Sequence, residues 1–218
     1  MPEKKSKQIR GIIFDLDGTL IDSFYAIMEG FNATLPHYNL DLFTIEEAKA
    51  MVGMPLRETF AAILGEEHAV HATKIFRRRY KEVYLEKTFP LPYADDTINN
   101  LRGKGYSLGV ATNKHGGFSR EIIRHLGWGG SLLSVVGDGD TLKTKPEPDM
   151  IFKNLEAMSL DNQEIIFVGD SPVDIETGNN AKVRTIGIST GYHSKEMLFE
   201  SGAEVVIEDL SQLEEVIN

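Results

Sequence analysis

Short apolar runs that alternate with helical patterns are the feature that most constrains what this chain can fold into. Ile12-Ile13-Phe14 is β-branched and aromatic, and Gly18 follows within a few residues, which predicts a buried strand leaving its sheet. Further runs over 107–111, 134–136, 165–168, 184–188 and 203–207 are separated by helical stretches such as 118–126 and 149–158. Strand and helix in turn predict an α/β protein, a doubly wound parallel sheet covered by helices on both faces. Such sheets bind ligands where strands end at their carboxyl edge, so chemistry is expected just after each apolar run.

The alternation stops between residues 23 and 87. Phe24, Ile27, Met28 and Phe31 fall at helical spacing behind Ser23, a candidate N-cap, and Thr44-Ile45-Glu46-Glu47 has the form of a capping box. Leu56, Phe60, Ile63 and Leu64 follow Pro55, and Ala72, Phe76, Tyr80, Val83 and Tyr84 make another stripe. These patterns predict an all-helical insert of four helices, with Pro90 and Pro92 marking the return to the sheet. The expected division is a Rossmann-like core over 1–21 and 89–218 and an inserted helical domain over 22–88.

Composition narrows the function classes. The 218 residues carry 33 acidic against 23 basic side chains, a formal charge of −10 that repels nucleic acid, so any anionic ligand needs a local source of positive charge. No cysteine is present, which excludes disulfides, thiolate catalysis and cysteine-bound metals. The opening Met1-Pro2-Glu3-Lys4-Lys5-Ser6-Lys7 is basic, but the apolar stretch behind it is short and broken by Asp15 and Asp17. No signal peptide, membrane span or membrane partner is expected, and a cytoplasmic protein is.

Four segments fall where chemistry is expected. Asp15 and Asp17, two apart at a strand exit, can point the same way; the pair reads equally as a solvated turn or as two acids held around a cation or a proton. In Val110-Ala111-Thr112-Asn113-Lys114, Thr112 and the following amides can donate to phosphoryl oxygens, while Lys114 reads as a solvated loop lysine. Lys145 lies in a segment stiffened by Pro146 and Pro148; alone it reads as an exposed loop lysine. Gly169-Asp170 again puts an acid after a buried run, and Asp174 sits one turn into the next helix, where its charge suits the helix N-terminus.

In their order, these segments resemble the four motifs of the haloacid dehalogenase superfamily. Phe14-Asp15-Leu16-Asp17-Gly18-Thr19-Leu20 is similar to the first almost letter for letter, and Gly169-Asp170 with Asp174 to the last. The resemblance implies that Asp15 is a nucleophile forming an aspartyl-phosphate and Asp17 the general acid and base. It also implies Mg2+ held by Asp15, the Asp17 carbonyl and Asp170, with Asp174 a ligand or outer support, and Thr112 and Lys145 completing a phosphate cage. Asp17 disfavours dehalogenation, since the dehalogenase branch lacks it. The helical insert resembles the family's cap. Within it, Gly53-Met54-Pro55-Leu56-Arg57-Glu58-Thr59-Phe60 is similar to phosphoglycolate phosphatases, as are Val135-Val136-Gly137 and Ser201-Gly202-Ala203-Glu204. The implied activity is hydrolysis of a small phosphorylated metabolite, 2-phosphoglycolate first, by a monomer or homodimer. Asn113 and Arg57 are further candidates for substrate contact, Arg57 standing equally as a solvated helix arginine. His68 and His71 read as surface residues, and His115 and His193 as loop linings. Alternatives are β-phosphoglucomutase-like phosphoryl transfer, a pyrophosphatase, and a non-catalytic protein that binds a phospho-ligand.

Overall fold

The computed structural model describes residues 8–217; the basic opening Met1–Lys7 lies outside them. Six strands form one parallel sheet in the order β5-β4-β1-β6-β7-β8. They are β1 (Gly11–Phe14), β4 (Ser107–His115), β5 (Ser134–Asp138), β6 (Ile165–Gly169), β7 (Arg184–Ile188) and β8 (Val205–Ile207). Helices α5 (Ala94–Gly103), α6 (Gly116–His125), α7 (Asp149–Met158), α8 (Pro172–Ala181), α9 (Lys195–Glu200) and α10 (Leu213–Val216) connect or follow them. The expected α/β sheet is the one found. β1 and β6 are buried along their whole length, which is why they lack the in-out alternation of half-exposed strands.

Between β1 and α5 lie the helices α1 (Phe24–Thr34), α2 (Ile45–Ala50), α3 (Leu56–Leu64) and α4 (Glu66–Val83). A short antiparallel ribbon, β2 (Ile21–Asp22) with β3 (Phe89–Pro90), ties the outgoing and returning chain together. Phe31, Phe60 and Phe76 pack edge to face or tilted at 5.1–6.0 Å between centroids, a small aromatic core that binds α1, α3 and α4. Thr44 and Glu47 make the expected capping box on α2. Ser23 departs from expectation. It occupies the N-cap of α1 but makes no capping bond, because its hydroxyl is given to the Asp17 carboxylate instead.

The register sets up the site. Phe14 pairs with Val110 on one side and Val168 on the other, so Asp15, Thr112 and Asp170 all emerge within a residue or two of the same edge. β1 is central; the chain passes from it to β4 and β5 on one side and then crosses to β6 on the other, which makes this edge the topological switch point.

Candidate active site

Asp15 continues the line of β1, its amide donating to Val168 O at 2.8 Å. The chain then folds into a tight turn in which Leu20 and Ile21 donate to Leu16 O. Gly18 sits at φ +85°, where a side chain would be strained and would also run into the Asp170 carboxylate. Gly191, after β7, backs Asp170 in the same way. Thr19 Oγ1 donates to Asp170 Oδ1 at 3.1 Å. Two segments, the turn after β1 and the loop after β7, thus fix one carboxylate.

Asp15, Asp170 and Asp174 are all buried, and each offers an oxygen within 4.8 Å of the others. Asp174 caps α8 through a reciprocal box with Ser171. One cation faces the three acids. Lys145, 1% exposed, brings Nζ to 2.7 Å from Asp15 Oδ1 and 2.6 Å from Asp174 Oδ1. Burial works against that ammonium, but the two carboxylates outweigh it and hold Lys145 above the ordinary lysine range. Burial pushes Asp15 up to about 7, opposed by Lys145 and reinforced by Asp174 and Asp17. Burial, then repulsion from Asp174 and Asp15, likewise raises Asp170. The cluster therefore lacks positive charge. All its side-chain donors are oxygens, the set that suits a hard divalent cation, and a cation among Asp15, Asp170 and Asp174 would relieve the repulsion that raises the acids.

The Lys114 reading needs correction. Its side chain is 7% exposed, and Nζ lies 2.8 and 2.7 Å from the two oxygens of Asp17. It also stands 5.0 Å from the centroid of the Tyr80 ring on α4. Asp17 outweighs the effect of burial and raises Lys114 above the usual range. Lys145, an exposed loop lysine when judged alone, is likewise among the most buried side chains.

Thr112, 2% exposed, lines the cleft beside Asp15, Asp17 and Lys145. Asn113 is a brace. Its Oδ1 accepts from Lys145 N at 2.9 Å, and Nδ2 donates to Lys145 O at 3.1 Å and to Gly53 O at 2.7 Å, so the same amide that fixes the lysine touches the α2–α3 loop. Arg57 is not brought to the cleft. It is 65% exposed and pairs with Glu66 at 3.2 Å. The cleft-facing arginine is Arg77 of α4, which pairs with Asp138 at 2.9 Å. Asp138, Tyr80 and Arg77 were missed by sequence reasoning. Gly137-Asp138 at the end of β5 has the same form as Gly169-Asp170, so one of these carried a usable signal. His68 and His71 are exposed on α4. His115 does line the cleft, and burial followed by the charge of Arg77 keeps it below the ordinary histidine range.

Comparison with known proteins places the chain in a family. A family profile described as haloacid dehalogenase-like hydrolase matches residues 12–188. A phosphoglycolate phosphatase from Shigella dysenteriae is 30% identical, covering 96% of this chain and 92% of its own. A pyrophosphatase from Anoxybacillus flavithermus is 33% identical over 94% of this chain and 95% of its own. The solved structure of a haloacid dehalogenase-like family hydrolase from Streptococcus pneumoniae superposes with a TM-score of 0.87 at 22% identity, covering 96% of this chain and 99% of that one. With four acids and a buried lysine gathered at the switch point, and a helical cap above them, this chain belongs to the haloacid dehalogenase-like hydrolases.

Proposed function

We propose that this enzyme is a Mg2+-dependent phosphatase that hydrolyses a small phosphomonoester through an aspartyl-phosphate on Asp15. The observation that carries the reading is the placing of Asp15 against Lys145, Asp170 and Asp174 at one sheet edge. A phosphate ester repels an incoming carboxylate, so the work of the site is positioning and charge neutralisation. Asp15 attacks phosphorus with one oxygen, and Lys145 and Thr112 bind the phosphoryl oxygens. Asp17 donates a proton to the departing alkoxide and then takes one from the water that cleaves the acyl phosphate. Lys114 and Ser23 orient the Asp17 carboxylate and favour its ionised form, which suits the second step, where it takes the proton from water. Mg2+ held by Asp15, Asp170, Asp174 and the Asp17 carbonyl would supply additional positive charge to the phosphoryl group.

Residues 22–88 act as the cap that closes over the substrate and excludes water. 2-Phosphoglycolate, the substrate in the name of several relatives, is the first candidate to assay, and pyrophosphate the second. The enzyme is taken to work in the cytoplasm as a monomer or homodimer. The test is phosphate release from a panel of esters with and without Mg2+, in wild type and Asp15→Asn. Turnover should need the metal and fall by roughly 10³-fold or more in the variant, with circular dichroism unchanged. Undiminished activity in Asp15→Asn would sink the reading. Isomerised sugar phosphate without free phosphate would replace it with a β-phosphoglucomutase-like transfer, and binding without turnover of any ester would leave a phospho-ligand receptor.

A further inference from the structure

The cleft above Asp15 has two unlike halves. Its floor is polar, with Asp15, Asp17, Thr112 and Lys145. Its other walls are largely apolar: Ile27 and Phe31 from α1, Val52 from the α2–α3 loop, Leu56 from α3, Phe76 from α4 and Phe118 from α6. Together they line one side of a cleft that opens to solvent.

The charges give a second, independent observation. Among the described residues the cleft is lined by three cations of lysine or arginine type, and each is already against an acid: Lys145 with Asp15 and Asp174, Lys114 with Asp17, Arg77 with Asp138. A second anionic group on a substrate competes with an acid for one of these cations, at a high cost at the buried Lys114–Asp17 pair and a smaller one at the part-exposed Arg77–Asp138 pair. A neutral carbon body instead covers apolar wall and releases water from it.

We infer that the leaving group of the substrate carries a neutral apolar body, so that this enzyme favours the monophosphate of an aliphatic or aromatic alcohol over a phosphorylated carboxylic acid. The inference rests on the phosphatase reading and narrows it. The apolar walls around Leu56 and Phe76 hold the body while the floor holds the phosphoryl group. The ester bond broken is the P–O bond to that alcohol: its oxygen leaves with a proton from Asp17, and water supplies the oxygen that releases phosphate from Asp15.

A homologous series tests this without changing the chemistry of the leaving oxygen. Initial rates with Mg2+ are measured for methyl, n-propyl and n-pentyl phosphate beside 2-phosphoglycolate. Each added methylene that enters the wall should raise kcat/KM by about fourfold, the equivalent of ~0.8 kcal/mol per buried CH₂. Leu56→Gln should flatten that slope. The matching alkylphosphonates, which contain no ester to hydrolyse, should show the same gain in Kd by calorimetry. A kcat/KM that is flat or falls with chain length, or that is higher for 2-phosphoglycolate than for n-pentyl phosphate, overturns the inference and leaves the phosphatase standing. Graded phosphonate binding without hydrolysis of any ester overturns the phosphatase and leaves the apolar site. Flat binding with no hydrolysis overturns both.

Discussion

Asp15 is held where burial and two neighbouring acids oppose its charge while one lysine supports it. Its folded value of about 7 lies above the ordinary carboxylate value of 3.8, so the metal-free fold binds this proton more tightly than the unfolded chain does. Stability from this group is complete below the unfolded value and lost as pH rises through the folded one. Metal-free protein in EDTA should therefore melt lower at pH 8 than at pH 5, by on the order of 5–10 °C. Asp15→Asn should reduce that slope and leave the part that the similarly raised Asp170 contributes, as scanning calorimetry would show; a slope of equal size in the variant would place its origin elsewhere. Arg57 offers a contrasting case. An exposed pair with Glu66 is worth ~0–1 kcal/mol, and Arg57→Ala should change kcat/KM by less than about twofold, whereas Arg77→Ala should change KM. Sequence could not separate these arginines. Arg77, Arg78 and Arg79 are consecutive on α4, and successive residues diverge by roughly 100° around a helix: Arg77 reaches Asp138, while Arg79 turns to Glu29 and Glu82. Nor could it show that Lys114 is buried, because that depends on α4 carrying Tyr80 across the end of β4.

At the scale of elements, the strand exits were legible and their supports were not. Asp15 and Asp170 announce themselves because an acid directly after a buried apolar run is a local pattern. The packing of Gly18 and Gly191 against Asp170 joins turns some 170 residues apart, and a lone glycine in a loop carries no such information. β4 also runs to His115, beyond the apolar stretch that marks it, because pairing with β5 resumes after an irregularity at Thr112. The packing has a measurable consequence. Gly191→Ala pushes a methyl into the Asp170 carboxylate, so the Mg2+ concentration for half-maximal activity should rise by roughly 10–100-fold, with kcat at saturating metal far less affected. An unchanged Mg2+ titration would mean that Asp170 does not hold the ion.

Across the whole molecule, the parallel sheet was readable from its short apolar runs, whose central strands are buried throughout, and the four-helix insert from the helical spacing of its apolar residues. What periodicity does not encode is how the two parts touch. Asn113, expected to face a substrate, links the loop carrying Lys145 to the carbonyl of Gly53 beneath the cap. Asn113→Ala should therefore speed amide hydrogen exchange over residues 51–55 without altering exchange in β1 or β6. Equal protection in both proteins would show that the bond does not restrain the cap. The β2–β3 ribbon carries a different consequence. Because Ile21 lies opposite Pro90, the chain enters and leaves the helical insert through neighbouring points, as a plug enters a socket. A segment joined this way can be exchanged, lengthened or re-tailored without moving the strand ends beneath it. Descent can thus have rewritten what this enzyme recognises as a single cassette, leaving its reaction untouched.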